Sequence, residues 1–316
     1  MIIQKMLTYF DLIQDKNFRE FVTKRLSIRG KYFKHGMPIC FPKLYRYRSF
    51  TNHAVDDIIA QAVTFTSIGS FNDLFDGAIH RKKEFRLLEY IGTYAACFST
   101  KVDSVLMWSH YAASSSGICI EYDFNRWMEN DIHRKFLFPV KYSQNPINIS
   151  DLLDYERQDR CKYPLDAATL CAALNKSAIW RYENEWRMIY MNLLEEGPYA
   201  SMTISLDPAG IYLGYHFLKP FFYYNESDIE EKEKCTRLLE ELNRLLSYTE
   251  ENSIALFFMK PSIGMYSLKT CMLDVNQVRT FIKKHFTNCK GIQPKDMKSY
   301  WTVHDNFADI IAKTAI

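Results

Sequence analysis

The stretch Lys176 to Tyr190, KSAIWRYENEWRMIY, concentrates the groups in this chain that could do chemistry. Glu183 and Glu185 stand two apart between Arg181 and Arg187, with Trp180 and Trp186 close by. An extended backbone puts both carboxylates on one face and Trp186, Met188 and Tyr190 on the other. Facing a cleft, such a pair suits acid/base work or the stabilisation of developing positive charge. The same four charged residues also make ion-pair partners for a solvated strand face, and spacing alone leaves both readings open.

Two further groups carry chemistry. In LYRYRSF at 44–50, Tyr45 and Tyr47 share one strand face while Arg46 and Arg48 share the other with Leu44. Two guanidinium forks on one face suit phosphate or carboxylate, or else lie in water along an edge strand. The segment FNDLFDG at 71–77 supplies Asp73 and Asp76 and reads as a capped turn, without the regular oxygen ligands of a calcium loop. With Glu183 and Glu185, these carboxylates are also the donor set of an alternative, a magnesium-dependent nuclease, although E-x-E-W-R stands where E-x-K is usual. His110 is read as a structural hydrogen-bonding group, no Ser or Cys nucleophile has a placeable partner, and the G-x-G-x-x-G and Walker A patterns are absent.

These residues need a framework, and the apolar periodicity supplies one. Residues 3–26 read as an amphipathic helix, and 44–50 as a strand. Asn52 caps a helix through Ile59, Val63–Ser67 is a strand, and Tyr94–Thr100 is a buried strand. Ser104 caps a helix carrying Met107 and Trp108, and ICIEYD at 118–123 and Phe136–Tyr142 follow as strands. Helices are expected over 151–160 and 165–179, and short strands over 201–206 and 211–213. A leucine-striped helix over 228–250 opens a second regime, followed by strands at 254–259 and 265–268 and helices at 274–285 and 302–316. The whole reads as α+β: a single mixed-sheet domain at 43–224, with a helical lead-in at 1–42 and a helical and β elaboration at 225–316.

Composition narrows the function classes. With 47% hydrophobic and 24% charged residues the chain of 316 is an ordinary folded protein, not a disordered one. Twenty-two Phe, 21 Tyr and five Trp give many surfaces on which a planar ligand can stack. Lys+Arg at 40 against Asp+Glu at 37 gives no global basic field for nucleic acid or an anionic bilayer, which leaves only local patches. Eight Cys without C-x-x-C or finger spacing read as reduced thiols rather than disulfides or a zinc site. Acidic residues at 11 and 15 interrupt any signal-peptide core, and no apolar run reaches the ~18 residues of a membrane helix, so a cytoplasmic protein with no membrane partner is expected.

Taken together, LYRYRSF, FNDLFDG, CFST at 97–100, MWSHYA with GICIEYD at 107–123, and K-x3-W-x-YENEWR at 176–187 resemble, in order and spacing, the bacterial family known as domain of unknown function 2971, over residues 43–215. More remotely, L-Y-R-Y-R-S, a short helix and V-T-F-T-S look like the start of ADP-ribosyltransferase domains, including toxins that modify DNA and RNA. That resemblance implies an ADP-ribosyltransferase-like core with NAD as substrate, Arg46 as the first-strand NAD residue, and Thr66 or Ser67, with Ser99 as an outlying candidate, on the second. It places Glu185 or Glu183 as the catalytic carboxylate, stabilising positive charge on the ribose as nicotinamide leaves. Arg46 and Arg48 would then hold the pyrophosphate and Tyr45, Tyr47 or Trp180 would sandwich nicotinamide. The expected activity is transfer of ADP-ribose to a nucleic acid or protein acceptor, in a phage-defence or toxin setting, and the rival to it is a non-catalytic module binding a nucleotide or partner.

Overall fold

Short polar caps set several of the helix starts in this chain. The computed structural model describes residues 9–28, 32–34, 36–73, 75–76, 78–81, 84–87, 92–126, 131–148, 164–192, 197–222 and 229–286, together with 304 and 307. The helix expected over 151–160 lies outside these residues, as does nearly all of that over 302–316. The architecture is mixed α and β, in keeping with the α+β expectation, and the chain forms two units of three stretches each.

Unit 1 takes residues 1–44, 63–100 and 123–204. Its lead-in helix is two helices, α1 (Tyr9–Gln14) and α2 (Lys16–Arg25), because the Asp15 side chain accepts from the amides of Asn17 and Phe18 and restarts the chain. A small antiparallel pair, β1 (Phe33–Lys34) and β2 (Met37–Pro38), follows. In chain order, the further strands of this unit are β4 (Ala62–Ser67), β5 (Ala78–Arg81), β6 (Glu84–Leu87), β7 (Thr93–Ser99), β9 (Leu137–Pro139), β10 (Lys141–Ser143), β11 (Ile147–Asn148), β12 (Asn175–Ser177), β13 (Glu185–Met191) and β14 (Tyr199–Ser205). Strand β13 is antiparallel to β7 along its whole length, Glu185 facing Ser99 and Met191 facing Thr93, and takes β9 on its other edge. All seven of its residues are buried, which is why it carries no polar-out alternation.

The strand expected over 136–142 is broken at Val140, whose amide donates to the Glu185 carbonyl at 2.9 Å, so that β10 leaves to pair in parallel with β12. The helix expected over 165–179 stops early for the same reason. Helix α5 (Pro164–Ala173) ends so that Asn175–Ser177 can pair with β10, and a 3-10 turn, Ala178–Glu183, leads to β13.

Unit 2 takes residues 45–62, 101–122 and 205–316. Here β3 (Leu44–Arg48), β8 (Ile118–Tyr122), β15 (Pro208–Leu213), β16 (Ala255–Pro261) and β17 (Leu268–Leu273) lie side by side in that order. Strands β15 and β16 are parallel and the β8–β15 and β16–β17 pairs antiparallel, a mixed arrangement. The chain between β15 and β16 contains a short helix α6 (Lys219–Phe222) and the long α7 (Ile229–Glu251), with Leu239, Leu242, Leu245 and Leu246 buried on one stripe. Helix α3 (Asn52–Ile59) packs on α7, and α8 (Val275–Phe286) follows β17. The cap of α3 is Thr51, which accepts from the Ala54 amide, rather than Asn52. Helix α4 (Val105–Tyr111) is capped by Ser104 as expected and buries Trp108, whose indole N–H donates to the Val102 carbonyl at 2.7 Å. After it, Ala113, Ser114 and Ser115 all take positive φ, and a Cβ on Gly214 would run into the Ser115 carbonyl oxygen.

Candidate functional site

The side chains of Asp76, Lys176, Glu183, Glu185 and Arg187 meet in the interior of unit 1. Arg187 projects from β13, and all five of its N–H groups have acceptors. Its Nε donates to Glu185 Oε1 at 2.8 Å, and Nη2 to Glu185 Oε2 at 3.1 Å and to Asp76 Oδ2 at 2.6 Å. Its Nη1 donates to Asp76 Oδ1 at 2.6 Å and to the Ala173 carbonyl at 2.7 Å. A guanidinium can do no more. The fork grips Asp76 bidentately, and the Phe71 ring lies 5.2 Å from it. Lys176 donates from Nζ to Glu183 Oε2 at 2.5 Å and to Glu185 Oε2 at 3.2 Å, with Asp76 at 3.7 Å and the Trp180 ring at 5.1 Å.

These positions are built locally. Asn184 takes the left-handed conformation, φ 46°, which ends the 3-10 turn and starts β13 at Glu185. The two Glu residues therefore do not share a strand face by simple alternation as expected; they converge because both reach the Lys176 ammonium. The Glu185 amide donates to the Tyr142 hydroxyl at 2.8 Å, and the Ser99 hydroxyl donates to the Glu183 carbonyl at 2.5 Å. Of the four charged residues proposed for a solvated strand face, only Arg181 is exposed; Glu183, Glu185 and Arg187 are buried.

Electrostatics follow from that burial. Taking Glu185 out of water favours its neutral form, but Arg187 and Lys176 outweigh this and hold its carboxyl down at about 2. Burial likewise works against the charge on Lys176 and Arg187, and the neighbouring carboxylates overcome it, leaving both pKa values raised. Burial and then Glu185 push the Cys97 thiol up. Glu185 thus receives two bonds from Arg187 and one from Lys176, all from buried cations.

Residues 107–188 match the model of a family described as protein of unknown function, DUF2971. The matched segment therefore contributes Lys176, Glu183, Glu185 and Arg187 to the cluster, while Asp76 comes from the chain before it. The same segment includes most of α4 and all of β8, which belong to unit 2. The comparisons found no match among curated proteins or solved structures.

The remaining sequence candidates fall into the two units. Thr66 and Ser67 lie on β4 in unit 1, opposite Ala95 and Tyr94 of β7, and the Ser67 amide donates to the Pro198 carbonyl at 2.9 Å. Tyr45, Arg46, Tyr47 and Arg48 belong to unit 2. There Arg48 is ion-paired with Asp57, the Tyr47 hydroxyl donates to the Lys101 carbonyl at 2.6 Å, and the Tyr47 ring meets Trp108 edge-on at 5.2 Å. Tyr45 meets Tyr212 edge-on at 5.9 Å, and its phenol is pushed up to about 12 by burial and then by Glu121. Trp180 is half-buried beside Lys176 and 5.9 Å from the Tyr182 ring, and its indole Nε1 is buried with no hydrogen-bond partner. Asp73 accepts from the Phe75 amide through Oδ1, and its buried Oδ2 has no partner.

Sequence reasoning missed Lys176 as the hub. The signal was present as a lysine seven residues before Glu183 and nine before Glu185, but only the β12 pairing and the following turn fold that spacing back on itself. The magnesium reading does not fit the donor set: Asp76, Glu183 and Glu185 already face an ammonium and a guanidinium, and among the described residues no group of three His, Cys, Asp or Glu is arranged to hold a metal.

Proposed function

We propose that residues 176–187 form a binding site for a planar, nucleotide-like ligand, laid on Trp180 and Tyr182 above a floor made rigid by the ion cluster, and that the protein acts as a binding module rather than through catalysis by Glu185. The observation that carries this reading is the commitment of Glu185, whose two oxygens are held by Arg187 and Lys176. A carboxylate that stabilises an oxocarbenium-like ribose must accept from a ribose hydroxyl or face the ring, and Glu185 already spends its charge on two buried cations. The ligand itself is argued from Trp180, whose orphaned Nε1 asks for an acceptor. NAD fits that chemistry, since its carboxamide and ribose hydroxyls offer acceptors and its rings stack on indole.

A second reading keeps NAD cleavage and ADP-ribosyl transfer, with Glu183 as the acting carboxylate. What favours it is position: Glu183 closes the same 3-10 turn that carries Trp180 and is oriented by Lys176. One experiment separates the two. Purified protein is titrated with NAD and with ADP-ribose by tryptophan fluorescence, and nicotinamide release is followed in parallel with nucleic acid or lysate present. The module reading expects binding that weakens about tenfold or more in Trp180→Ala, as for loss of a stacked aromatic, and no nicotinamide from any variant. Release that disappears in Glu183→Gln and persists in a folded Glu185→Gln would establish the second reading, and release lost only in Glu185→Gln would refute the module reading.

A further inference from the structure

The β16–β17 hairpin ends in a turn that displays apolar side chains to water. Ile263 is 94% exposed, Met265 68% and Tyr266 fully exposed. The turn is well defined, for the Ser262 amide donates to the Ser267 carbonyl at 2.9 Å and Gly264 takes the positive φ that the reversal needs. Immediately behind the tip, Lys260 and Lys269 are direct cross-strand partners. Like charges in that position repel, and neither has an ion-pair partner among the described residues. No acidic residue occurs between Glu251 and Asp274, so the whole hairpin is apolar and cationic.

We propose that this hairpin is a docking finger for an anionic lipid bilayer, its tip entering the headgroup boundary while Lys260 and Lys269 meet lipid phosphates or carboxylates. Three apolar side chains ahead of two cations match the division of labour at a membrane interface, where apolar burial and attraction to anionic headgroups add. A second copy of the chain is disfavoured as occupant because pairing two fingers would bring four lysines together with no acidic residue from either. Nucleic acid is disfavoured because two lysines neutralise too few phosphates to dominate binding, while the tip would stay largely in water. The overall near-neutral charge, from which no membrane partner was expected, averages over this local asymmetry. No helix among the described residues is long and apolar enough to cross a membrane, so the contact proposed is peripheral.

The test is sedimentation of the full chain with phosphatidylcholine vesicles, with and without phosphatidylserine. Binding is expected only to the anionic vesicles. Each lysine near such a surface contributes about a factor of five, so Lys260→Ala/Lys269→Ala should weaken binding by roughly 30-fold. Ile263→Ser/Tyr266→Ser should weaken it by about tenfold or more for each side chain withdrawn from apolar burial. Both pairs change exposed positions, and unchanged melting curves would verify folding. Absence of vesicle binding by the wild-type chain, binding that survives the tip substitutions, a dimer dissolved by those substitutions, or tighter binding to duplex DNA than to vesicles would each overturn the proposal.

Discussion

Replacing Glu185 by Gln keeps the shape of the side chain and removes its charge, and the structure says what that does. The wild-type carboxylate meets three donors, all from buried cations. A Gln amide offers one acceptor oxygen and two donors of its own, so its amide nitrogen must point at Arg187 or Lys176. Breaking a buried ion pair by removing one partner costs about 3–5 kcal/mol. An independent route gives a similar size: lowering a carboxyl from 4.5 to about 2 is worth on the order of 3 kcal/mol of stability at neutral pH. The group is depressed on folding, so its contribution is present above the unfolded value near 4.5 and is lost as pH falls towards about 2.

The assay is urea unfolding followed by tryptophan fluorescence, for wild type and Glu185→Gln, at neutral pH and at steps down through the acid range. We expect a loss of roughly 3–5 kcal/mol at neutral pH, equivalent to about 5–8 °C in melting temperature, and a gap between the two proteins that narrows as the medium is acidified below pH 4.5. Arg187→Met tested alone and together with Glu185→Gln should show a coupling of at least about 2 kcal/mol, because the two share two hydrogen bonds. A Glu185→Gln variant as stable as wild type, or a gap that does not narrow in acid, would mean that Glu185 is not committed to the framework and would return it to the list of catalytic candidates.

Two predictions concern unit 2. Gly214→Ala drives a Cβ into the Ser115 carbonyl oxygen, which already accepts from the His216 amide at 2.8 Å, so backbone must move and stability should fall by about 3 kcal/mol; a wild-type melting curve would show that the left-handed turn at 113–115 yields freely. Tyr212→Phe removes the hydroxyl that donates to the buried Glu121 carboxylate at 2.5 Å, with an expected cost of about 1.5–3 kcal/mol in urea unfolding. The loss should be smaller than that of Glu185→Gln, since one neutral donor goes rather than a charge.

Short-range signals were legible where local chemistry decides. Ser104 capped its helix, the leucine stripe of α7 faced inward, and Glu183, Glu185 and Arg187 were singled out as one charged constellation. What stayed hidden was set by distant partners. Nothing near Ala173 stops a helix, yet Asn175–Ser177 leaves helical geometry because β10 offers it a parallel ladder, and that single departure puts Lys176 beside both carboxylates. Burial stayed hidden for the same reason: a run of two Glu between two Arg is compatible with a solvated face until Asp76, more than a hundred residues earlier, closes the bidentate pair with Arg187. Five charges in one interior are costly to desolvate, and in other proteins apolar sets of similar volume often replace such clusters at no loss of stability. Their retention makes sense if the cluster fixes the turn that carries Trp180, which places the strongest test of function on the orphaned indole N–H rather than on the carboxylates that first drew attention.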